Sequence, residues 1–233
     1  MGKENQIIMV VKRDKLFGTS NLEDCPQGFL NTDTYNFIPE INLHFEWMKR
    51  GSSKKYEANT AESNPAYKQP IAYSVVANPL LKKVFAYKRA IDEVSYHESR
   101  LAGNWCWGIG GHVEKLDIKD SNQAYRIIEK SRDRELSEEV KIISGKNPII
   151  KLLGYINDDS NNVGQVHLGL LYVVETDANE IVPKDKEISE GNYKTLKELE
   201  DICEQSKNKN SGVKVDSWSE IALLPLRNFL SNH

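Results

Sequence analysis

Cysteine is scarce in this chain: there are three, Cys25, Cys106 and Cys203, odd in number and far apart. That excludes a disulfide framework and, because no two stand at metal-ligand spacing, a cysteine zinc site; reduced thiols are expected. Apolar runs of about 18 residues are absent, as is a secretory pattern at the N-terminus, so a spanning helix is excluded and a cytoplasmic location is expected. An excess of one charge is missing too. With 31 Lys and Arg against 34 Asp and Glu, the net charge is −3, which argues against broad electrostatic capture of nucleic acid and leaves only a local basic patch open. No internal repeat is visible.

What the chain has is a stripe of acid. Residues 134 to 142 read Arg-Glu-Leu-Ser-Glu-Glu-Val-Lys-Ile, and Glu135, Glu138 and Glu139 stand at i, i+3 and i+4. On a helix those side chains are neighbours, and their mutual repulsion would destabilise it by a few tenths of a kcal/mol per pair unless a cation offsets it. A hard divalent metal is the natural partner for such an all-oxygen set. Alone, the stripe reads more readily as a solvated acidic face. Upstream, Gly108-Ile109-Gly110-Gly111-His112-Val113-Glu114-Lys115-Leu116-Asp117 supplies a glycine turn followed by acid. Glycines permit close backbone approach and leave carbonyls free to face a metal.

Together the two segments resemble the Nudix box: Gly, five residues, Glu, seven residues, then Arg-Glu-apolar-x-Glu-Glu-x-Gly-apolar. Gly111 falls on the first Gly and Asp117 on the first Glu, while Arg134, Glu135, Leu136, Glu138, Glu139 and Ile142 follow in order. Asp117 departs from the pattern as a shorter carboxylate, and Lys141 stands where Gly is usual. Sixteen residues, 118–133, separate Asp117 from Arg134 in place of seven. A bacterial subgroup of Nudix phosphoesterases is closer still, through Gly-Ile-Gly-Gly-His and the later Gly-Tyr-Ile-Asn-Asp at 154–158 and Val-His-Leu-Gly at 166–169.

The resemblance implies an α/β fold: a Nudix α/β/α sandwich with a mixed sheet, over residues 70–233, with residues 1–69 as an N-terminal extension packed on it. It also implies Mg²⁺- or Mn²⁺-dependent hydrolysis of a phosphoanhydride in a nucleotide or nucleoside-diphosphate-linked substrate. Gly110 (through its carbonyl), Glu135, Glu138 and Glu139 would be metal ligands, and Glu135 would also act catalytically on the attacking water. Arg134 would pair with Asp117 and, with Gly111, hold the loop. Glu187 is expected to add a further catalytic acid, with Glu190, Glu180 and Glu175 as competitors. The implied partner is a small molecule, with no membrane, no nucleic acid beyond an RNA 5′ end, and room for a homodimer. The alternative is a non-catalytic Nudix module that binds a nucleotide as a sensor. Isopentenyl-diphosphate isomerases share the fold, but their catalytic Cys immediately precedes a Gly-His pair, and Gly110 stands there in the Gly-Gly-His run of this chain.

The remaining pattern predicts local structure. Residues 6–12 read as a strand, about 40–50 as a helix, and 51–69 as a long surface loop. Two strands joined at Asn78-Pro79 span 70–88, and a hairpin of 149–155 with 166–176 follows the box. Asp120 or Ser121 would cap a helix through 118–133. Ala124, Ile127 and Ile128 lie on a different stripe from Leu136, Val140 and Ile143, which predicts a kink or break near 129–133. Thr195 to Cys203 and Ser217 to Leu230 read as helices, the second with Ile221, Leu224, Leu226 and Leu230 inward and interrupted or started at Pro225. Lone residues have two readings each: His112 as a phosphate contact or a hydrogen bond to its loop, His167 as a catalyst or a packed strand residue, Trp105 and Trp107 as base-stacking or core, Arg89 and Arg100 as phosphate ligands or not.

Overall fold

The computed structural model describes residues 2–52, 55–91, 101–118, 122–143, 145, 147–186 and 188–233. In chain order the elements are β1 (Ile7–Lys12), α1 (Arg13–Phe17), β2 (Gly28–Asn31), α2 (Ile38–His44), β3 (Phe45–Lys49), β4 (Tyr67–Asn78), β5 (Lys83–Arg89), β6 (Trp105–Cys106), α3 (Ala124–Glu139) and β7 (Val140–Ile143). They continue as β8 (Ile149–Asn157), β9 (His167–Glu175), β10 (Glu180–Pro183), β11 (Ile188–Thr195), α4 (Leu196–Lys207) and α5 (Ser217–Ser231). The class is α/β, with hydrogen-bonded strand neighbours in the order β11-β5-β4-β9-β8-β2. Sequence explains that order. β4 and β9 are buried along almost their whole length and read as near-continuous apolar runs, as inner strands must. β11, Ile-Ser-Glu-Gly-Asn-Tyr-Lys-Thr, is polar and open, as suits an edge. Among the described residues no helix is long and apolar enough to cross a membrane.

The chain divides into two compact units. The first holds residues 1–73, 110–134 and 154–170. In it β1 pairs antiparallel with β3, from Ile7 opposite Lys49 to Val11 opposite Phe45, and with the start of β4. β2 pairs with the end of β8, Gly28 opposite Asn157. A buried polar knot sits in the same unit: Asp159 accepts from Arg13 Nη1 (2.9 Å), Lys68 Nζ (2.7 Å) and Gln27 Nε2 (2.7 Å). Lys68 Nζ also reaches the carbonyls of Gly164 and His167, so its buried ammonium has three acceptors. The second unit holds residues 74–109, 135–153 and 171–233. There β5 pairs with β11, β6 and the end of β4, and β7 pairs with β10. Thr195 caps α4 through a reciprocal box with Glu198.

Four expectations need correction. The helix near 40–50 is α2, shorter and earlier, because Pro39 fits its first turn, where a missing N–H costs nothing. Residues 45–49 are then drawn into β3 by pairing with β1, which overrides helical spacing. Segment 51–69 is not all surface: Thr60, Ala61 and Glu62 are buried, and β4 already begins at Tyr67. α3 runs unbroken from Ala124 to Glu139, because its buried stripe continues through Ser131 and Arg132, while Val140 and Ile143 belong to β7 and never needed a helical face. α5 passes through Pro225 without interruption, burying Trp218, Ala222, Pro225, Leu226, Phe229 and Leu230 and leaving Leu224 60% exposed. The expected caps Asp120 and Ser121 lie outside the described residues.

Candidate active site

The glycine run leaves β6 and lies along β4. Ser74 N donates to Ile109 O (2.7 Å) and Ile109 N to Ser74 O (2.9 Å). Three residues on, His112 opposes Ile71. Between them Gly110 is pressed so close that a Cβ there would stand 2.6 Å from the carbonyl oxygen of Ala72. Only glycine fits without moving backbone.

After the run, Lys115–Asp117 forms one 3-10 turn, and the shortness of Asp117 acquires a reason. Its Oδ2 accepts from Glu114 N (2.9 Å), capping its own turn, while Arg134 Nε donates to Oδ1 (2.8 Å) and Nη2 to Oδ2 (3.0 Å). This is a bidentate, charge-assisted pair on a buried carboxylate. The same Arg134 Nη2 donates to His112 O (3.0 Å), as does Ser131 Oγ (3.2 Å). Arg134, Asp117 and the loop after Gly111 are thus brought together.

The acidic residues share one stripe of α3: Glu135 and Glu139 are half-buried and Glu138 is exposed. The end of the helix is held by Lys184, whose N–H donates to Glu139 O (2.8 Å) and whose ammonium bonds Ser137 O. Chemically this all-carboxylate set suits a hard oxygen-seeking cation such as Mg²⁺ or Mn²⁺. Glu187 and Arg100 lie outside the described residues. Among the competing acids, Glu175 is paired with Lys151 (2.9 Å), and Glu180 and Glu190 are exposed.

The aromatic and cationic candidates have other occupations. Trp107 is buried core, and Trp105 lies under Lys194, whose Nζ is 4.9 Å from its ring centre. Arg89 stacks over Tyr87 at 5.5 Å and points Nη2 at Cys106 Sγ. Burial holds the Tyr87 hydroxyl well above its ordinary pKa, and it donates to Gly108 O (2.8 Å).

One grouping had no signal as a set in the sequence. Glu62, His112 and His167, from three distant segments, each offer a ligand atom within 4.8 Å of the others. His167 Nε2 lies 3.2 Å from His112 Nε2, and His112 Nε2 lies 3.5 Å from Glu62 Oε1. Arg50 Nε donates to the same carboxylate oxygen (3.2 Å). Burial raises the Glu62 carboxyl, but the hydrogen bond to His112 and the charges of His167, His112 and Arg50 outweigh it and hold it well below the usual carboxylate range. His112 is pushed down to about 3, first by burial and then by Arg50, against the opposing pull of Glu62. The two histidines stood inside recognised motifs; Glu62 stood in a polar stretch with no pattern to mark it.

No protein-family model matches the chain. Protein YmaB of Bacillus subtilis (strain 168) is 30% identical over 226 residues, 96% of this chain and 98% of that protein. Among solved structures, Tm1382, described as a candidate Nudix hydrolase, is 27% identical with a TM-score of 0.65, covering 96% of this chain and all of its own. The NUDIX domain of Shewanella oneidensis NrtR, crystallised with ADP-ribose, shares the fold at 15% identity and a TM-score of 0.50, over 77% of this chain and 93% of that one.

Proposed function

This chain belongs to the Nudix hydrolase superfamily, within the family of Bacillus subtilis YmaB, and from that we propose that it hydrolyses a phosphoanhydride in a nucleotide or nucleoside-diphosphate-linked substrate. The observation that carries the reading is the acidic stripe of α3 together with the Arg134–Asp117 clamp immediately before it. Glu138 and Glu139, with the carbonyl of Gly110, would hold Mg²⁺ or Mn²⁺. When bound, that ion neutralises diphosphate charge and lowers the pKa of water. Glu135 orients the attacking water or takes its proton, with Glu187 as the further acid. Arg134 does not touch the substrate in this scheme. It takes up Asp117 and the His112 carbonyl, fixing the loop that carries Gly110.

The NrtR domain binds ADP-ribose, and a nucleoside diphosphate bearing a second group is the substrate class proposed here. The test is release of phosphorylated products, with and without Mg²⁺, from nucleoside triphosphates, dinucleotide polyphosphates and ADP-sugars. Glu138→Gln is expected to lower turnover at least ~100-fold on the best substrate, in line with the loss of a group acting in the transition state. Equal rates for wild type and variant across the panel would sink the hydrolase reading.

A further inference from the structure

The geometry points to a second metal site, distinct from the acidic stripe, in which Glu62, His112 and His167 bind one ion of the Zn²⁺ class. Four observations converge on it. The spacing comes first. A tetrahedral ion with ligands at about 2.0–2.1 Å has ligand-to-ligand edges of about 3.3–3.4 Å. Two of the three edges match, 3.2 Å between the imidazole Nε2 atoms and 3.5 Å between His112 Nε2 and Glu62 Oε1, and the third, between Glu62 and His167, lies within 4.8 Å.

Next is the direction of the lone pairs. His167 Nδ1 is 2.7 Å from the carbonyl oxygen of Val163, which can only accept, so Nδ1 carries a proton and Nε2 is the ring nitrogen left to serve as ligand. A ring N–H anchored on a backbone carbonyl is how metal-bound histidines are usually held.

Rigidity is the third. The His112 main chain is fixed by Ser131, Arg134 and its bridge to Ile71, and Glu62 N donates to Arg50 O (2.9 Å). His167 opens β9. None of the three ligands hangs on a free loop tip, so little ordering is left to be done on binding.

Last is donor chemistry. Two imidazoles and one carboxylate form the His₂Glu set that suits Zn²⁺, Co²⁺ or Ni²⁺, whereas the α3 acids offer only oxygen and suit Mg²⁺. Three protein ligands leave a fourth position for water or an anion. Arg50 is the opposing element: its guanidinium, 3.2 Å from Glu62 Oε1, orients the carboxylate but adds positive charge beside the ion. It sets the affinity below that of an uncompensated site.

The inference stands apart from the hydrolase reading and has its own readout. Full-length protein stripped with chelator is titrated with Co²⁺, following visible d–d absorption, with Zn²⁺ as competitor and Mg²⁺ as control. One equivalent is expected, displaced by Zn²⁺ and not by Mg²⁺. His167→Ala abolishes the bands, Glu62→Gln weakens binding at least ~10-fold, Arg50→Gln tightens it, and Glu138→Gln leaves it unchanged. The near-isosteric Glu62→Gln keeps the test valid if His167→Ala does not fold, with far-UV circular dichroism in chelator as the check. The site is overturned if wild type shows no Co²⁺ bands, if the bands survive unchanged in folded Glu62→Gln, or if Glu138→Gln is the variant that removes them. Wild type that binds Co²⁺ as described but hydrolyses nothing in the Mg²⁺ panel would strike the function alone.

Discussion

At the scale of single residues, Asp117 shows how a departure from a motif is made good. A Glu at that place would reach further, but Asp reaches both the N–H of Glu114 and the fork of Arg134 with one carboxylate. Asp117→Ala leaves a half-buried guanidinium without its carboxylate and a turn without its cap, and is expected to cost about 2–4 kcal/mol. Urea unfolding checks this, and a loss under 1 kcal/mol would show that His112 O and Glu114 suffice for Arg134. The pair was legible in the sequence because the box fixes which carboxylate meets which arginine. Glu62, His112 and His167 were not legible as a set, since nothing local relates positions 50 and 55 residues apart; only the crossing of three chain segments does.

At the scale of elements, what failed was the assignment of an apolar residue to an element. Reading Val140 and Ile143 as helical produced a conflict of faces in α3 that their place in β7 removes. In α5 the spacing of leucines suggested that Leu224 faces inward with Leu226 and Leu230; the latter two are buried as expected, but Leu224 is exposed and Pro225 is buried. Leu224 therefore separates the readings, with Leu226 as the buried reference. Leu226→Ala is expected to cost about 2–5 kcal/mol as a core truncation, and Leu224→Ala less than about 0.5 kcal/mol. Thermal or denaturant unfolding of the two variants decides it; similar losses would mean that the buried face of α5 has been misassigned. The strands β4, β5, β8 and β9 were readable because their apolar runs are long and bounded by turn residues. β3 was not, because five residues of mixed spacing become a strand only where β1 offers an edge.

At the scale of the whole molecule, the first 73 residues form one compact unit with 110–134 and 154–170. Its buried charges give it an acid limit. Burial raises the Asp159 carboxyl, but hydrogen bonds from Arg13, Lys68 and Gln27 outweigh burial and hold it at about 2, below its ordinary 3.8. A depressed carboxyl means that the folded state binds the proton less readily than the unfolded one. Its contribution to stability is whole above about pH 4 and is lost as pH falls toward 2. Asp159→Asn should therefore flatten that part of the stability curve, as read by urea midpoints at successive pH values; an unchanged slope would place the acid sensitivity elsewhere.

The junction between α3 and β7 has a consequence for where this chain can change length. Glu139 ends the helix and Val140 begins the strand, with no residue between, and Val140 stands opposite Pro183 while Lys184 N holds Glu139 O. One residue gained or lost there would swing the acidic stripe by about 100° or turn every side chain of β7 to the other face. Upstream, α3 starts at Ala124, and a helix lengthened at that end leaves both in place. Sixteen residues therefore stand on that side of the stripe, the side where the fold tolerates insertion.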